Sequence, residues 1–283
     1  MQAVAGRSRA RHRAKTGSIA IPIGLRFARG GISPPEIHSR VFGLIGGGGS
    51  ILAVPLLLYV VGIRDPHVAI GTSALAVGVN ALGNLLGHWR RGNVKWPCAA
   101  AFACAGVLGA AAGSTLGKLV DGRKLLLLFS LVMVAVGLAM LQPRASGGDP
   151  SVRINPVIAV RLIGVGFVTG AIAGFFGIGG GFLIVPGIML GSGMPILNAI
   201  GSSLFSVSAF GLTTAANYAR SGLIDWRIGA EFIAGGVIGG LLGIRLVTRL
   251  ASQRRVLSRV FAGVVFVVAA YMAVRTLIDL NGR

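Results

Sequence analysis

Acidic side chains are almost missing from this chain. Seven Asp and Glu stand among 283 residues, too few for the clustered carboxylates that acid–base work and hard-metal binding require. Histidine is nearly as scarce, at four residues, and none of them pair at a metal-ligand spacing. The two cysteines, Cys98 and Cys104, lie six apart in one apolar run. That excludes a disulfide framework and a CxxC redox motif, and it predicts two packed thiols. There is no phosphate-binding loop ending in Lys-Ser or Lys-Thr, no nucleophile elbow and no dinucleotide fingerprint in a strand–helix setting. The expectation is a protein that is not an enzyme and takes no cofactor and no metal. Charge as a whole is also sparse. At 12% of residues it is about half the share of a soluble domain, which argues against a water-facing fold.

What fills the sequence instead is apolar surface and glycine. Hydrophobic residues make up 54%, glycine contributes 46 residues, and mean hydropathy is +0.81. Glycine without a collagen period is frequent in membrane helices, where it lets backbones approach closely. An integral membrane protein with the lipid bilayer as partner is the class that fits. The formal charge of +20 comes from Lys and Arg placed between apolar runs and in an N-terminal arm, at Arg7, Arg9, Arg11, Arg13 and Lys15. Such placement suits loops facing anionic headgroups. The arm has no interleaved aromatics, so no nucleic-acid partner is expected. No signal peptide is visible, because the stretch "GSIAIPIGLRFA" is short and broken by Pro22 and Arg26.

Spanning helices need about 20 mostly apolar residues. Val41–Ile63, Val68–Gly87 and Pro97–Gly117 carry no charge, and Leu125–Leu141 is slightly short. Leu162–Ala219 then runs for 58 residues without a charged side chain, and two weaker runs, Ile228–Ile244 and Val256–Val274, follow. The second half repeats the first at an offset of about 130 residues. "GGGSILAVP" at Gly47–Pro55 matches "GGGFLIVP" at Gly179–Pro186, and "AIGTSALAV" at Ala69–Val77 matches "AIGSSLFSV" at Ala199–Val207. "GHWRRGNVKW" from Gly87 matches "NYARSGLIDW" from Asn217, and "GVLGAAAGSTLGKLV" from Gly106 matches "GVIGGLLGIRLVTRL" from Gly236. The expected organisation is a basic arm at 1–40, a first transmembrane repeat at 41–142, a linker at 143–156, a second repeat at 157–278 and a tail at 279–283. The fold class is all-α: a polytopic integral membrane protein of two homologous helical repeats with glycine-rich breaks and roughly seven to nine membrane-embedded helices. Whether the halves are inverted depends on each repeat having an odd number of crossings. Loop charges do not decide it, because corresponding loops of both halves are basic.

The glycine clusters carry the functional signal. Gly46, Gly47, Gly48 and Gly49, followed by Ser50, interrupt the first run. Gly177, Gly179, Gly180 and Gly181 interrupt the corresponding run of the second half. Glycines in succession unwind a helix, and unwound backbone is tolerated at membrane depth only inside protein or beside water. A helix restarting there offers free N–H groups and a positive dipole end to an anion. The competing reading is close helix packing alone. Polar residues on the following runs could line the same site: Thr72, Ser73, Asn80 and Asn84 in the first half, and Ser202, Ser203 and Asn217 in the second. Ser73, Asn80, Asn84 and His88 share one helical face at steps of seven, four and four. His88 abuts "RRGNVK" and is expected at headgroup level, while Asp225 is expected in a loop and Glu231 about a turn inside its helix. Duplicated halves and a central site point to a transporter. A membrane-embedded scaffold or accessory subunit without transport is the alternative.

These motifs, "GLIGGGGSILAVPLL", "AIGTSALAV", "GHWRRGNVKW" and "FFGIGGGFLIVPGIML", resemble the TauE/SafE family of sulfite and organosulfonate exporters over residues 41–278. The resemblance implies a multi-pass protein of the bacterial cytoplasmic membrane with two homologous halves, moving a small sulfur-containing anion outward by alternating access. It also implies that Gly46–Ser50 and Gly177–Gly181 line a central site, with Pro55 and Pro186 shaping the helices after it. Substrate, coupling ion and oligomeric state are left open. The family pattern has a hydrophobic helix leading into the first glycine break, as Leu162–Phe176 leads into the second. Here the residues before Val41 read "RFARGGISPPEIHSR", which cannot span. Either the first half has lost a helix, or this N-terminus is not the family's own.

Overall fold

A computed structural model describes residues 50–141, 152, 154–237 and 254–281. Gly46–Gly49, the basic arm, most of the linker and the end of the Ile228–Ile244 run lie outside these residues. Among the described residues the chain is helical with no strand. The helices are α1 (Ser50–Tyr59), α2 (Pro66–Arg90), α3 (Trp96–Leu119), α4 (Gly122–Leu141), α5 (Pro156–Phe176), α6 (Gly181–Ser192) and α7 (Ile196–Ala219). They are followed by α8 (residues 226–237) and α9 (Arg254–Asn281). Four of them, α2, α3, α5 and α7, are long and apolar enough to cross a membrane. The uncharged 58-residue run resolves into α5, a glycine break, the short α6 and α7.

The helix starts follow from local chemistry. Asp65 Oδ1 accepts the His67 N–H at 2.8 Å ahead of Pro66, and Asn155 Oδ1 accepts the Ile158 N–H at 2.8 Å ahead of Pro156. Both pair a side-chain cap with proline at the first helical position. Asp121 Oδ1 does the same for α4, accepting the Arg123 N–H at 3.0 Å. Helix α5 stops at Gly177, whose φ of +64° is left-handed backbone that favours glycine.

Two helix pairs set the architecture. Helices α3 and α5 run parallel in backbone contact. A Cβ on Gly109, Gly113 or Gly117 would strike the carbonyl oxygen of Phe167, Ala171 or Phe175, and one on Gly166, Gly170 or Gly174 would strike that of Phe102, Gly106 or Ala110. This is small-residue packing on both partners. Helices α2 and α7 run antiparallel: Gly71 meets Tyr218, Gly78 meets Gly211, and Gly201 meets Asn93. Because α7 is the repeat counterpart of α2, this antiparallel contact makes the two halves inverted.

The loops confirm the inversion atom by atom. The Lys95 N–H donates to Ser202 Oγ at 2.9 Å, and its counterpart, the Asp225 N–H, donates to Thr72 Oγ1 at 3.0 Å. Asn93 N donates to His88 O, as Leu223 N does to Tyr218 O, and Gly92 and Gly222 turn at φ +70° and +69°. One loop closes the face carrying Arg90 and the other the opposite face, which carries Asp65.

Large apolar side chains point outward around the bundle. Leu108, Leu119, Val160, Leu190 and Val267 are 66–78% exposed, as befits a hydrocarbon solvent and not water. Inside, Ile70, Leu125, Phe129, Phe176 and Tyr218 anchor one core cluster. Phe102, Leu162, Ile184, Ile188 and Phe210 anchor another.

Candidate functional site

The second glycine break is packed between α2 and α7, the counterpart helices of the two halves. A Cβ on Gly179 would come within 2.7 Å of Val77 Cγ1 and 3.4 Å of Val207 Cγ1. Val77 and Val207 are counterparts in the two halves, so Gly179 is packed against both, more tightly against Val77. Val77 is also near the midpoint of α2. Gly177, Gly179 and Gly180 take φ of +64°, +64° and +68°, and residues 176–181 are all buried.

The restart of the helix leaves donors free. The Leu183 and Ile184 N–H groups both reach Gly180 O at 2.9 Å. Among the described residues no acceptor is found for the Gly179 and Gly180 N–H groups, and residues 179–180 form a turn that closes back on Ile178. Buried backbone N–H groups are almost always paired, and here they gather at the positive end of a twelve-residue helix. No cation or carboxylate of the described residues pairs with the break; its polarity is that of the backbone. Ser73 holds it in place, its hydroxyl lying 3.0 Å from Gly177 O and 2.9 Å from Ile70 O.

The other sequence-predicted residues fall into three groups. Asn80 is half-buried one turn beyond Val77, and its Oδ1 is buried without a partner; Asn84 continues the same line towards Arg90. Ser203, counterpart of Ser73, donates to Ile200 O at 2.8 Å. Its counterpart break at Gly46, Gly47, Gly48 and Gly49 lies outside the described residues, and Ser50 opens α1 as a buried residue. Thr72 and Ser202 are away from the break, each receiving the loop N–H of the opposite half. Asn217 lies far below the break at the Asp65 face. Its Nδ2 donates to Ser114 Oγ at 2.6 Å and Thr115 Oγ1 at 2.9 Å, and its Oδ1 accepts from Lys118 Nζ at 2.8 Å. Pro55 and Pro186 sit inside α1 and α6, the two short helices after the breaks.

Sequence reasoning passed over Lys118 and Phe102. Lys118 Nζ also donates to Ser221 Oγ at 2.9 Å and lies 5.9 Å from the Tyr218 ring centre, so among the described residues its partners are neutral groups. The only signal was a lysine ending an apolar run. His88 is 3% exposed, and among the described residues neither ring nitrogen has a partner. Asp225 caps α8 through the Ile228 N–H at 3.0 Å, and exposed Glu231 pairs with Arg227 at 3.2 Å. Neither acid stands at the break. Cys98 is buried and Cys104 exposed, both as free thiols.

Comparison with known proteins agrees with this architecture. The chain is 53% identical over 237 residues to a probable membrane transporter protein of Xylella fastidiosa strain Temecula1, covering 83% of this chain and 90% of that one. It is 27% identical over 243 residues to the probable membrane transporter protein YunE of Bacillus subtilis, covering 77% and 87%. A probable membrane transporter protein of Haemophilus influenzae is 29% identical over 187 residues, covering 64% and 69%. No solved structure matches. The family model described as "Sulfite exporter TauE/SafE" matches residues 39–272, nearly all of the helical body, and the chain belongs to the TauE/SafE family.

Proposed function

We propose that this multi-pass membrane transporter exports a small sulfur-containing anion, sulfite or an organosulfonate, across the cytoplasmic membrane by alternating access between its inverted halves. The observation that carries the reading is the buried glycine turn ahead of α6, packed between α2 and α7, where among the described residues the Gly179 and Gly180 N–H groups have no acceptor. Oxyanion oxygens accept from such a nest, and the α6 dipole favours their charge. The sulfur class is supported by the description of the matching family model. No covalent step is involved. Ser73 positions the loop, and the side chains beyond it conduct the anion towards either face.

The test is flux in vesicles reconstituted with the full chain. Sulfite or a short alkylsulfonate is expected to move, with chloride as the control anion. Gly179→Leu and Gly180→Leu should each abolish the flux, because a Cβ at these left-handed positions meets Val77 or Ala173. Folded protein should fall much less than flux. Loss of folded protein in step with flux would instead support glycines that serve packing alone, and no movement of any sulfur anion by folded protein would leave the scaffold reading.

A further inference from the structure

The inverted halves do not match at mid-membrane. Phe210 on α7 stacks on Phe102 of α3 with ring centres 6.1 Å apart and planes at 21°. Both rings are fully buried, and Phe210 lies against Gly106, where a Cβ would collide with it. Shifting by the repeat offset turns this trio into Asn80 on α2 with Phe232 and Gly236 on α8. Gly236 again lies against the counterpart side chain, here the Asn80 amide. All three positions are less buried than their equals: Asn80 and Phe232 are half-buried and Gly236 is exposed, where Phe210, Phe102 and Gly106 are buried. The glycine contact is kept while the aromatic plug is replaced by an amide whose Oδ1 has no partner among the described residues.

We propose that the Phe102–Phe210 stack is the closed gate on the route from the glycine break to the Asp65 face, and that Asn80 lines the open counterpart route to the Arg90 face. The inference rests on the reading of the break as the anion site. Inversion supplies the two routes. From the depth of Gly179, α2 continues through Asn80 and Asn84 to Arg90, while α7 continues through Phe210 to Asn217 and Lys118 at the other face. A pair of stacked rings excludes water and a hydrated anion, in the manner of hydrophobic constrictions that gate by dewetting. An amide presents an NH2 donor to a passing oxyanion and bonds water when none is there. The two routes thus differ in chemistry and not only in coverage by neighbouring helices.

Cysteine accessibility tests this without reference to flux. Full-length protein in vesicles, with Cys98 and Cys104 replaced by Ala, receives Asn80→Cys, Asn84→Cys or Phe210→Cys and is treated with a charged, membrane-impermeant methanethiosulfonate. Asn80→Cys and Asn84→Cys should react from one side only and about tenfold or more faster than Phe210→Cys, since thiol reaction follows exposure. Adding Phe102→Ala to Phe210→Cys should restore reaction, from the opposite side. Asn84→Cys serves as the probe if Asn80→Cys does not fold. Unreactive thiols at both asparagines, meaning the cleft is sealed by another helix, would overturn the inference, as would equal rates at the asparagines and Phe210. Labelling as expected without anion flux would sink the site reading alone, and flux with the wrong labelling would sink the gate alone.

Discussion

At the scale of single residues, the break depends on one hydroxyl. Ser73 is fully buried, and its Oγ spans Ile70 O and Gly177 O. Ser73→Ala leaves the Gly177 carbonyl without its side-chain donor in a low-dielectric interior. An orphaned buried polar group costs about 1–3 kcal/mol, so the variant should unfold at lower temperature in detergent, followed by tryptophan fluorescence. An unchanged melting temperature would show that the bond does not hold the loop. The sequence marked Ser73 as a polar residue that could line the site, not as the residue that holds the break. Its partner was not legible there. The bond joins residues 104 apart, and no local pattern carries that distance. The same holds for Lys118, whose acceptors come from α7 and the loop after it.

Elements follow a different logic, in which side chains are removed so that backbones can meet. Helices α3 and α5 touch through glycine on both partners, and dispersion between close backbones replaces the hydrophobic drive that lipid cannot supply. A bulky side chain there has nowhere to go. Gly109→Leu or Gly170→Leu should cost more than the about 1–3 kcal/mol of ordinary overpacking, because carbonyl oxygens, not flexible side chains, stand in the way. Gly83→Leu is the matched control, since a Cβ at Gly83 meets nothing within 4 Å. Monodisperse yield on size exclusion should collapse for the first two and hold for the third; equal yields would refute the packing scheme. The main apolar helices were legible from run length, but the starts at Pro66 and Pro156 lie before the first residues of the uncharged runs, Val68 and Leu162, because the caps Asp65 and Asn155 set them. The parallel α3–α5 pairing was not legible, because glycine spacing marks a close contact without naming its partner.

For the whole molecule, repeats were visible in sequence and their relative orientation was not. Loop charges are alike in both halves, so orientation had to come from which residues touch across α2 and α7. The consequence can be measured. Arg90 and Arg220 are exposed counterparts at the ends of α2 and α7. With the native cysteines replaced by Ala, Arg90→Cys and Arg220→Cys should be labelled from opposite sides of the membrane. Labelling from one side would overturn the inverted arrangement. Of the two glycine clusters that the sequence offers, Gly46–Gly49 lies outside the described residues, and the packing of the other between the halves is seen only where Val77 and Val207 meet Gly179. The reciprocal loop bonds carry a last implication. The 91–95 loop is pinned by a serine of the second half, and the 221–225 loop by a threonine of the first. Each half therefore completes the other's fold, like two hands clasped. An isolated half would lose the hydroxyl that receives its loop N–H, so the two halves are expected to fold as one cooperative unit.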